Sequence, residues 1–453
     1  MIKETLLLNV IDEISMGPFG SDIKVDNFIA SGVPVLNGSN VSEIKLIEKS
    51  FKYISEKKAN SLGKANARRG DMVITHRGTL GQVSYIPYNS KFDRYIISQS
   101  QFRIRFKNEI NPIYLTYLFH TTYGQKKLLS FKNHVGVPAL AQATSNFKLL
   151  ELRLHDKLSQ NKIAAVLSSI DDKIELNNKI NTELEAMAKT LYDYWFVQFD
   201  FPDANGKPYK SSGGKMVYND VLKTEVPEGW EVKPLFAYLD CNKNTIRKTD
   251  AWSAINYLDT SNLTENRINS IQAINPNSDV VPSRAQRIVK ENDILISTVR
   301  PNLRHYGIIK SPIDNMIAST GFAILSYKSN TGYNDFFYMH ITSDAIQKKL
   351  ESMAASAVSS YPSINPSDIL GLAITLPSDF SIVKKISNIL SNIFLTVSTN
   401  QQQNQELSAL RDWLLPMLMN GQLTVGAAYE QVEEVLSMAA EDEVGYDKKQ
   451  DRK

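Results

Sequence analysis

The segment LSQNKIAAVLSSIDDKIELNNKINTELEAMAKTLYDYWF, residues 158–196, decides the fold of this chain. Neither proline nor glycine occurs between Lys157 and Phe201, an interval far longer than the average helix of about 11 to 12 residues. Within it a seam of residues recurs at alternating spacings of four and three, which is typical of a coiled-coil face. The seam consists of Ile163, Leu167, Ile170, Ile174, Asn177, Asn181, Leu184, Ala188, Leu191 and Trp195.

A second seam of the same length follows in an interval without proline or glycine from Ser378 to Leu415. It consists of Ile386, Leu390, Ile393, Val397, Asn400, Asn404, Leu407, Arg411, Leu414 and Leu418. At about 1.5 Å per residue each seam extends over roughly 48 Å, so the paired helices would form a rigid spacer. The alternative is two independent amphipathic helices, each packed on its own domain.

Two asparagines occupy the same layers of both seams and lie symmetrically about the midpoint of each. An antiparallel pairing therefore places Asn177 against Asn404 and, in the next layer, Asn181 against Asn400. Each buried amide then has a polar partner instead of a leucine. Because a parallel pairing also matches asparagine with asparagine, the pattern defines the register better than the direction.

An internal duplication relates the two halves of the chain. The tetrapeptide QKKL at 125–128 returns at 347–350, after 222 positions. Ser39 and Asn40 return at the same interval as Ser261 and Asn262, and Asp71 returns as Asp293. The chain is therefore predicted to contain two copies of one structural unit.

Each copy is predicted to be an α+β domain. Short strands are expected near VPVLN, DMVITH, GQVSYIP and QFRIRF in the first copy, and near AINYLD, DILIST, GIIK and GFAILSY in the second. One amphipathic helix is expected over PIYLTYLFHTTYGQKKLLSF and another over DFFYMHITSDAIQKKLESM. The QKKL leucine should pack inward while the lysines oppose the helix dipole.

Bulk composition indicates a globular protein. The 453 residues suggest about three domains, and 42% of them are apolar. The only cysteine, Cys241, excludes disulfides within the chain and cysteine-rich zinc sites. The first residues do not resemble a secretory signal and no apolar stretch is long enough to span a bilayer, so the expected compartment is the cytoplasm.

Charge is distributed unequally between the two copies. Residues 1–150 carry 20 basic and 11 acidic side chains, whereas residues 227–380 carry 14 and 15. Residues 284–310 nevertheless hold six basic side chains, a local basic patch. Residues 428–453, with 4 basic and 8 acidic side chains, are expected to form an acidic tail without fixed structure.

The loops after the DMVIT and DILIS strands carry arginine, glutamine and histidine at a strand end, where a loop can enter a DNA groove. Arginine can bind guanine and glutamine can bind adenine, but the same groups also bind phosphate. A solvated surface without a ligand is the other interpretation. The candidate DNA-binding residues are Ser39, Asn40, Arg68, Arg69, His76, Arg77, Thr79, Gln82, Gln99, Gln101, Asn262, Arg284, Arg287, Arg300, Asn302, Arg304, His305, Ser360 and Tyr361.

Catalytic motifs are absent from the sequence. It contains no GxxxxGK[ST] loop, no GxGxxG turn and no asparagine-proline-proline-aromatic tetrapeptide of the kind that amino-methyltransferases use. The acidic DDKIE at Asp171–Glu175 superficially resembles nuclease ligands, but it lies on a helix flank and is better explained as a solvated face. No catalytic residue and no metal ligand is predicted.

Several stretches closely resemble the specificity subunit of type I restriction-modification systems. They are residues 158–196 and GPFGSDI (17–23), FDFPDANGKPYKSSGGKM (199–216), PEGWEV (227–232) and LLPMLMNGQL (414–423). The resemblance covers nearly the whole chain. It implies two target recognition domains that each read half of a split, asymmetric DNA site, and helices that dock two methyltransferase subunits.

The resemblance also implies that the chain itself is not catalytic and binds no cofactor. S-adenosylmethionine would belong to the methyltransferase subunits, and ATP and magnesium to motor and nuclease subunits. The weak charge of the second domain departs from this pattern and suggests a DNA affinity that depends on a local patch or on partners. Alternatives are a specificity partner of a combined methyltransferase-nuclease and a protein-only scaffold with two binding domains.

The predicted fold class is α+β, with two tandem mixed α/β target recognition domains separated by two long helices that form an antiparallel coiled coil. The predicted boundaries are 1–156 for the first domain, 157–201 for the first long helix, 202–226 for a connecting loop, 227–380 for the second domain, 381–423 for the second long helix and 424–453 for the acidic tail.

Overall fold

The fold was analysed in a computed structural model that describes residues 2–133, 138–247, 250, 252–329, 332–356 and 362–436. The chain forms two compact units. Unit 1 comprises Met1–Ile174 together with Gln405–Lys453, and unit 2 comprises Glu175–Asn404. The division falls inside both long helices, so each unit contains one globular domain and a part of each helix.

The two long helices are present where the seams predict them. The first extends over Lys157–Tyr192 and continues into a π-helical turn at Asp193–Val197. The second extends over Ser381–Met419 and contains Pro416 in its last turn. It ends four residues before the predicted boundary, where Gly421 adopts a left-handed φ of 70°, a conformation that glycine favours at helix ends.

Unit 1 is built around a four-stranded antiparallel sheet in the order Ile11–Met16, Gln101–Phe106, Met72–Thr75, Val83–Tyr85. A five-stranded sheet has the order Phe28–Ile29, Lys52–Ile54, Val33–Val35, Arg94–Ile96, Asn66–Arg68. The remaining strands form the pairs Ile2–Leu6 with Glu151–His155 and Lys132–Asn133 with Ala139–Leu140. The α-helices of the domain are Leu7–Val10, Glu56–Ser61, Pro112–His120, Thr122–Leu129 and Ala143–Lys148.

Unit 2 has an antiparallel sheet in the order Leu239–Cys241, Phe322–Tyr327, Asp293–Ser297, Tyr306–Ile309. A mixed sheet has the order Gln272–Ile274, Ile255–Leu258, Met316–Ser319, Ala285–Ile288. The two-stranded pairs are Trp230–Pro234 with Ala373–Pro377, Met216–Asn219 with Thr224–Pro227, and Leu263–Thr264 with Arg267–Ile268. The α-helices of the domain are Asn334–Thr342, Asp344–Ala355 and Pro366–Leu370.

The duplication seen in the sequence corresponds to a four-stranded antiparallel sheet that is present in both units. The repeated aspartate marks the third strand of this sheet in both units. That strand is Met72–Thr75, just after Asp71, in unit 1 and Asp293–Ser297 in unit 2. The strands Gln101–Phe106 and Phe322–Tyr327 occupy the second position. The predicted strands of both copies are confirmed, because short apolar runs rich in β-branched residues favour strands locally.

The amphipathic helix predicted after these strands is wrong in one respect, because each copy forms two helices. Thr121 and Ser343 interrupt them with extended ψ angles of 158° and 147°. The Oγ1 of Thr121 accepts a hydrogen bond from the Gly124 N–H, so the residue caps the following helix. A Cβ on Gly124 would lie 2.0 Å from the Leu118 carbonyl oxygen, which shows how closely the two helices approach.

The QKKL repeat is structural in both units. Leu128 and Leu350 are fully buried, as predicted. Gln125 donates from Nε2 to the Phe119 carbonyl at 2.7 Å, and Gln347 donates to the Ile341 carbonyl at 2.9 Å. Each glutamine therefore satisfies the last carbonyls of the preceding helix, which would otherwise lack a donor.

The seam residues lie in the cores of both units. In unit 1, Ile163, Leu167 and Leu414 belong to the main hydrophobic cluster, and Arg411 pairs with Asp171 at 2.8 Å. In unit 2, the buried face shifts by one residue from the prediction. The shift replaces Leu191, Trp195 and Ile393, which are half-buried, by the buried Tyr192, Phe196 and Phe394. The neighbouring seam residues Ala188, Leu390 and Val397 stay buried as predicted, so the shift is confined to these three positions.

The expectation of an unstructured acidic tail over residues 428–453 is wrong for residues 428–436. These residues form a helix, and Ala428 and Val432 are buried in the main hydrophobic cluster of unit 1. Residues 437–453 lie outside the described residues. None of the described helices combines the length and apolarity needed to cross a bilayer.

Candidate nucleic-acid interface

Three loops of unit 1 meet at one end of its antiparallel sheet. The His76 N–H donates to the Ser100 carbonyl at 2.8 Å, and its Nε2 donates to the Gln99 carbonyl at 3.1 Å. The Gly17 N–H donates to the Gln101 carbonyl at 2.8 Å. Loops 17–23, 76–82 and 98–101 therefore form one surface, which we call the unit 1 loop surface.

The turn at Gly17–Asp22 is tightly held on this surface. A Cβ on Gly17 would lie 1.8 Å from the Ser98 carbonyl oxygen, so only glycine fits. The Phe19 N–H donates to Asp22 Oδ2 at 2.9 Å, and the Asp22 N–H donates to the Phe19 carbonyl at 2.9 Å. The aromatic ring of Phe19 is 83% exposed as a result.

The unit 1 loop surface brings together several predicted DNA-binding residues. Arg77, Thr79 and Gln99 are exposed, whereas His76 and Gln82 are half-buried. Burial lowers the pKa of His76, which favours a neutral imidazole at neutral pH. The accessible groups on this surface are thus one arginine, a hydroxyl and amides, which can donate to or accept from base edges and phosphates.

Two predicted DNA-binding residues of unit 1 have structural roles instead. Asn40 is fully buried and donates from Nδ2 to the Ile47 and Lys49 carbonyls at 2.8 and 2.9 Å. Gln101 is fully buried, with Nε2 bonded to the Asn37 carbonyl and Oε1 to the Ser98 N–H. Neither amide can reach a groove, so both are removed from the candidate set. Ser39 remains exposed.

Arg68 and Arg69 lie at the opposite end of the sheet from the loop surface. The Arg68 N–H donates to Asp71 Oδ2 at 2.9 Å, immediately before the strand Met72–Thr75. That strand covers four residues, or about 13 Å, before His76 is reached. Arg69 is engaged by the Ser90 carbonyl at 2.6 Å and Asp93 at 3.1 Å. These two arginines therefore do not belong to the same surface as Arg77.

Unit 2 has a corresponding loop surface at residues 298–305. The Thr298 N–H donates to the Gly321 carbonyl at 2.8 Å, and the Arg300 N–H donates to the Pro362 carbonyl at 2.9 Å. Arg300 and Asn302 are exposed on it. The predicted residues Ser360 and Tyr361, which precede Pro362, lie outside the described residues.

Two positions that are glycine in the unit 1 loop are arginine in the unit 2 loop. Gly78 and Gly81 of unit 1 have φ angles of 91° and 84°, and Arg300 and Arg304 of unit 2 have φ angles of 50° and 54°. The positions are related by 222 and 223 residues, so the duplicated loop keeps its left-handed backbone. Left-handed φ is costly for a residue with a Cβ, and unit 2 carries arginine there nevertheless.

Arg304 and His305 are held by other residues of unit 2. Arg304 Nη1 lies 3.1 Å from Glu265 Oε1, which raises the pKa of the guanidinium. His305 Nδ1 donates to the Leu263 carbonyl at 2.7 Å. Arg304 is therefore a partner of Glu265 in this structure, which weakens its assignment to DNA.

The remaining candidates of unit 2 differ in access. Arg284 is exposed, and its carbonyl accepts from the Thr320 N–H at 2.8 Å, which places it beside the turn that holds Thr298. Arg287 is half-buried on the edge strand Ala285–Ile288. Asn262 is half-buried, and its carbonyl accepts from Asn269.

The asparagines of the helix seam contact one another inside unit 2. Asn177 Nδ2 donates to Asn404 Oδ1 at 2.9 Å, and Asn400 Nδ2 donates to Asn181 Oδ1 at 2.8 Å. These contacts require antiparallel helices, since the partner number falls as the residue number rises. Asn177 also donates to Gln403 Oε1 at 2.7 Å.

Sequence reasoning missed a second group of basic residues in unit 1. Arg103 and Arg105 alternate with apolar residues in the strand Gln101–Phe106, where both contact Asp71. The signal was the QFRIRF pattern itself, because a cation on the alternate face of a buried strand requires a partner.

Comparisons with known proteins agree with this architecture. The family model for the type I restriction modification DNA specificity domain matches twice, at residues 23–186 and 227–409. The MjaIX specificity subunit of a type I restriction enzyme from Methanocaldococcus jannaschii is 25% identical over 425 residues, 92% of both chains. The HindI specificity subunit from Haemophilus influenzae is 24% identical over 205 residues, 43% of this chain and 44% of that protein.

A solved structure shows the same fold. The S subunit of a type I restriction-modification system from M. genitalium superimposes with a TM-score of 0.57 at 14% identity, over 92% of this chain and 96% of that one. The two family matches together cover well over half of the chain. The chain therefore belongs to the type I restriction-modification DNA specificity family.

Proposed function

We propose that the chain is the DNA sequence-specificity subunit of a type I restriction-modification complex and that each loop surface reads one half of an asymmetric, bipartite target. The observation that carries the proposal is the repetition of one sheet and loop frame with different side chains. Unit 1 presents Arg77 and Gln99, and unit 2 presents Arg300 and Asn302. Two similar frames with unlike chemistry should read two unlike sequences.

The charge difference between the domains supports a division of labour in DNA binding. Residues 1–150 have an excess of nine basic side chains and residues 227–380 an excess of one acidic side chain. Phosphate neutralisation supplies most of the affinity that does not depend on sequence. The first domain should therefore provide more of the general affinity, and the second should depend on its few exposed arginines.

The first long helix carries an exposed apolar stripe that supports a docking role. Leu176, Ile180 and Met187 are 50%, 38% and 60% exposed, and a helical rotation of about 100° per residue places them within about 40° of one another. The seam residues Asn177 and Asn181 lie about 100° around the helix from this stripe and bond to Asn404 and Asn400 of the other long helix. We assign the stripe to a methyltransferase subunit, and the proposed complex contains two of them.

Catalysis and cofactors belong to the partners in this proposal. S-adenosylmethionine would be held by the methyltransferase subunits, and ATP and magnesium by motor and nuclease subunits. Among the described residues no three histidine, cysteine, aspartate or glutamate side chains are grouped so that they could hold a metal ion. The role of this chain is to position the complex on its target, in the compartment that holds the DNA.

The test is a genome-wide map of methylated adenines with and without this gene. A bipartite motif should disappear on deletion and return on complementation. Exchange of residues 1–150 for a homologous domain should change one half of the motif only. The proposal fails if no motif depends on the gene, and the modular assignment fails if both halves change.

Two matched point variants refine this test. Arg77→Lys should change how strongly methylation depends on the sequence of one half-site. Arg300→Lys should change how strongly it depends on the sequence of the other half-site. Lysine keeps the charge but loses the forked geometry that arginine offers to guanine. Variants that weaken every target equally would instead indicate phosphate contacts.

A further inference from the structure

A basic cavity of about 350 Å³ lies in unit 1 at the end of the sheet opposite the loop surface. It is formed where the strand Asn66–Arg68 and the strand Gln101–Phe106 come together. Its volume lies within the range of roughly 300 to 1,000 Å³ that ligand sites occupy. Its lining residues are Glu13, Asn60, Gly63, Lys64, Asn66, Arg68, Arg94, Arg103 and Arg105.

Positive charge exceeds negative charge in and around this cavity. Arg103 lies 2.9 Å from Glu13, Arg105 lies 2.8 Å from Asp71, and Arg94 pairs with Glu56. The two other basic side chains, Lys64 and Arg68, form no ion pair within the part of the chain that the structure describes. Five cations thus face three carboxylates, and an excess of two positive charges remains for an anion.

The buried aspartate does not by itself account for these arginines. Its counterpart in unit 2, Asp293, is 3% exposed and accepts from the Lys290 N–H at 2.8 Å, as Asp71 accepts from the Arg68 N–H. Arg103 pairs with Val73 of the neighbouring strand, and the counterpart of Val73 in unit 2, Leu295, pairs with Ile324. Ile324 is therefore the counterpart of Arg103. The same frame therefore occurs in unit 2 without an arginine at the position of Arg103.

A polar atom in the wall of the cavity also lacks a partner. Asn66 is 8% exposed and donates from Nδ2 to the Ala59 and Gly63 carbonyls at 2.7 and 2.9 Å. Its Oδ1 is buried and accepts no hydrogen bond from the described residues. This oxygen is shielded from solvent, so the amide fixes the wall of the cavity through its two donated hydrogen bonds and is not itself a ligand contact.

We propose that this cavity binds a nucleotide through its phosphate, with Lys64 and Arg68 as the principal phosphate ligands. The source is either a nucleotide of the DNA strand or a free mononucleotide. The first alternative rests on the proposed function. The second does not, because it requires only this cavity.

The experiment uses the full chain and the variant Lys64→Gln with Arg68→Gln. The matched control is Lys49→Gln with Lys57→Gln, which removes two exposed lysines of the same domain that do not line the cavity. Binding of a labelled 25-base-pair duplex is measured by anisotropy between 50 and 200 mM salt. Binding of adenosine 5′-monophosphate and of inorganic phosphate is measured by calorimetry.

A site for DNA phosphates predicts that the cavity variant loses about two of the contacts that make binding salt-dependent. Each phosphate contact contributes about 0.9 to the slope of log affinity against log salt concentration. Between 50 and 200 mM salt, the duplex affinity of the cavity variant should therefore fall by a factor about 12 times smaller than that of the unmodified chain. A site for free nucleotide predicts that adenosine 5′-monophosphate binds the unmodified chain more tightly than inorganic phosphate and not the variant.

The proposal is overturned if the cavity variant matches the control in both assays. It is also overturned if the unmodified chain and the cavity variant bind duplex with the same affinity and salt dependence, and the unmodified chain does not bind the nucleotide. Failure of the unmodified chain to bind any duplex would instead contradict the proposed function. Circular dichroism and thermal unfolding of the variants exclude misfolding, and the more conservative Arg68→Lys should retain most of the binding.

Discussion

Arg300→Gly should stabilise the protein and weaken its DNA binding at the same time. Arg300 has a left-handed φ of 50°, which costs a residue with a Cβ roughly 1–2 kcal/mol. Glycine avoids this cost but loses roughly 0.5–1 kcal/mol through the greater freedom of the unfolded chain. The net gain is about 0.5–1 kcal/mol, and Gly78 occupies the same backbone position in unit 1.

The loss in DNA affinity should be larger than the gain in stability. One forked arginine contact to a base contributes about 1–3 kcal/mol of discrimination, which corresponds to about 5- to 150-fold in affinity at 1.4 kcal/mol per factor of ten. The assays are thermal unfolding of the full chain and anisotropy with duplexes that carry the mapped target. A duplex with a changed second half-site shows whether the lost energy was specific.

Asn315→Gly is the matched control for this substitution. Asn315 has a φ of 54°, is exposed, and precedes the strand Met316–Ser319 away from residues 298–305. Because asparagine adopts a left-handed φ at little cost, this substitution should gain less stability than Arg300→Gly, and it should not change DNA affinity. The reasoning is refuted if Arg300→Gly leaves affinity for the target unchanged, or if it lowers the stability of the protein instead of raising it.

Two further substitutions test the helix pair and the core of unit 2. Asn181→Leu should destabilise the chain by about 1–3 kcal/mol because it leaves the Asn400 amide without its acceptor. Adding Asn400→Leu to this variant should restore stability. If thermal unfolding shows that the two losses add, the pairing is contradicted. His340 is buried against the Tyr192 hydroxyl and the Ala373 carbonyl, and burial lowers its pKa to about 4. Since the unfolded chain takes up this proton below about pH 6.5, stability should fall by about 1.5 kcal/mol between pH 6.5 and 5, and His340→Gln should reduce that fall in denaturation measured at both pH values.

The strands and the long helices could be predicted because their signals are local. The alternation in QFRIRF, the continuous apolar run in DILIS and the four-three spacing of the seams each favour one type of element. The one-helix prediction across Thr121 was wrong because a hydroxyl residue inside a helical pattern also caps a new helix. The seam prediction at Leu191 and Trp195 was wrong because the buried residues after Ala188 are spaced by four, at Tyr192 and Phe196, where the helix passes into a π-helical turn at Asp193–Val197.

The candidate interface was predictable as a set of loops but not residue by residue. Arg77 and Gln101 both lie near the end of a strand in the sequence, yet one is exposed and the other is fully buried. A turn glutamine has the same local signature whether it faces solvent or bonds to a neighbouring loop. The difference arises from the Asn37 carbonyl, 64 residues away.

By itself, the sequence determined the duplication, the strand and helix types, the layers of the asparagine pairs and the unequal charge of the two copies. These follow from periodicity and composition, which act over a few neighbouring residues. Only the tertiary structure decided the antiparallel direction of the helix pair in unit 2, the burial of Asn40 and Gln101, and the convergence of Lys64, Arg68, Arg94, Arg103 and Arg105 on one cavity. These depend on contacts between distant segments, whose partners are chosen by the packing of the whole unit.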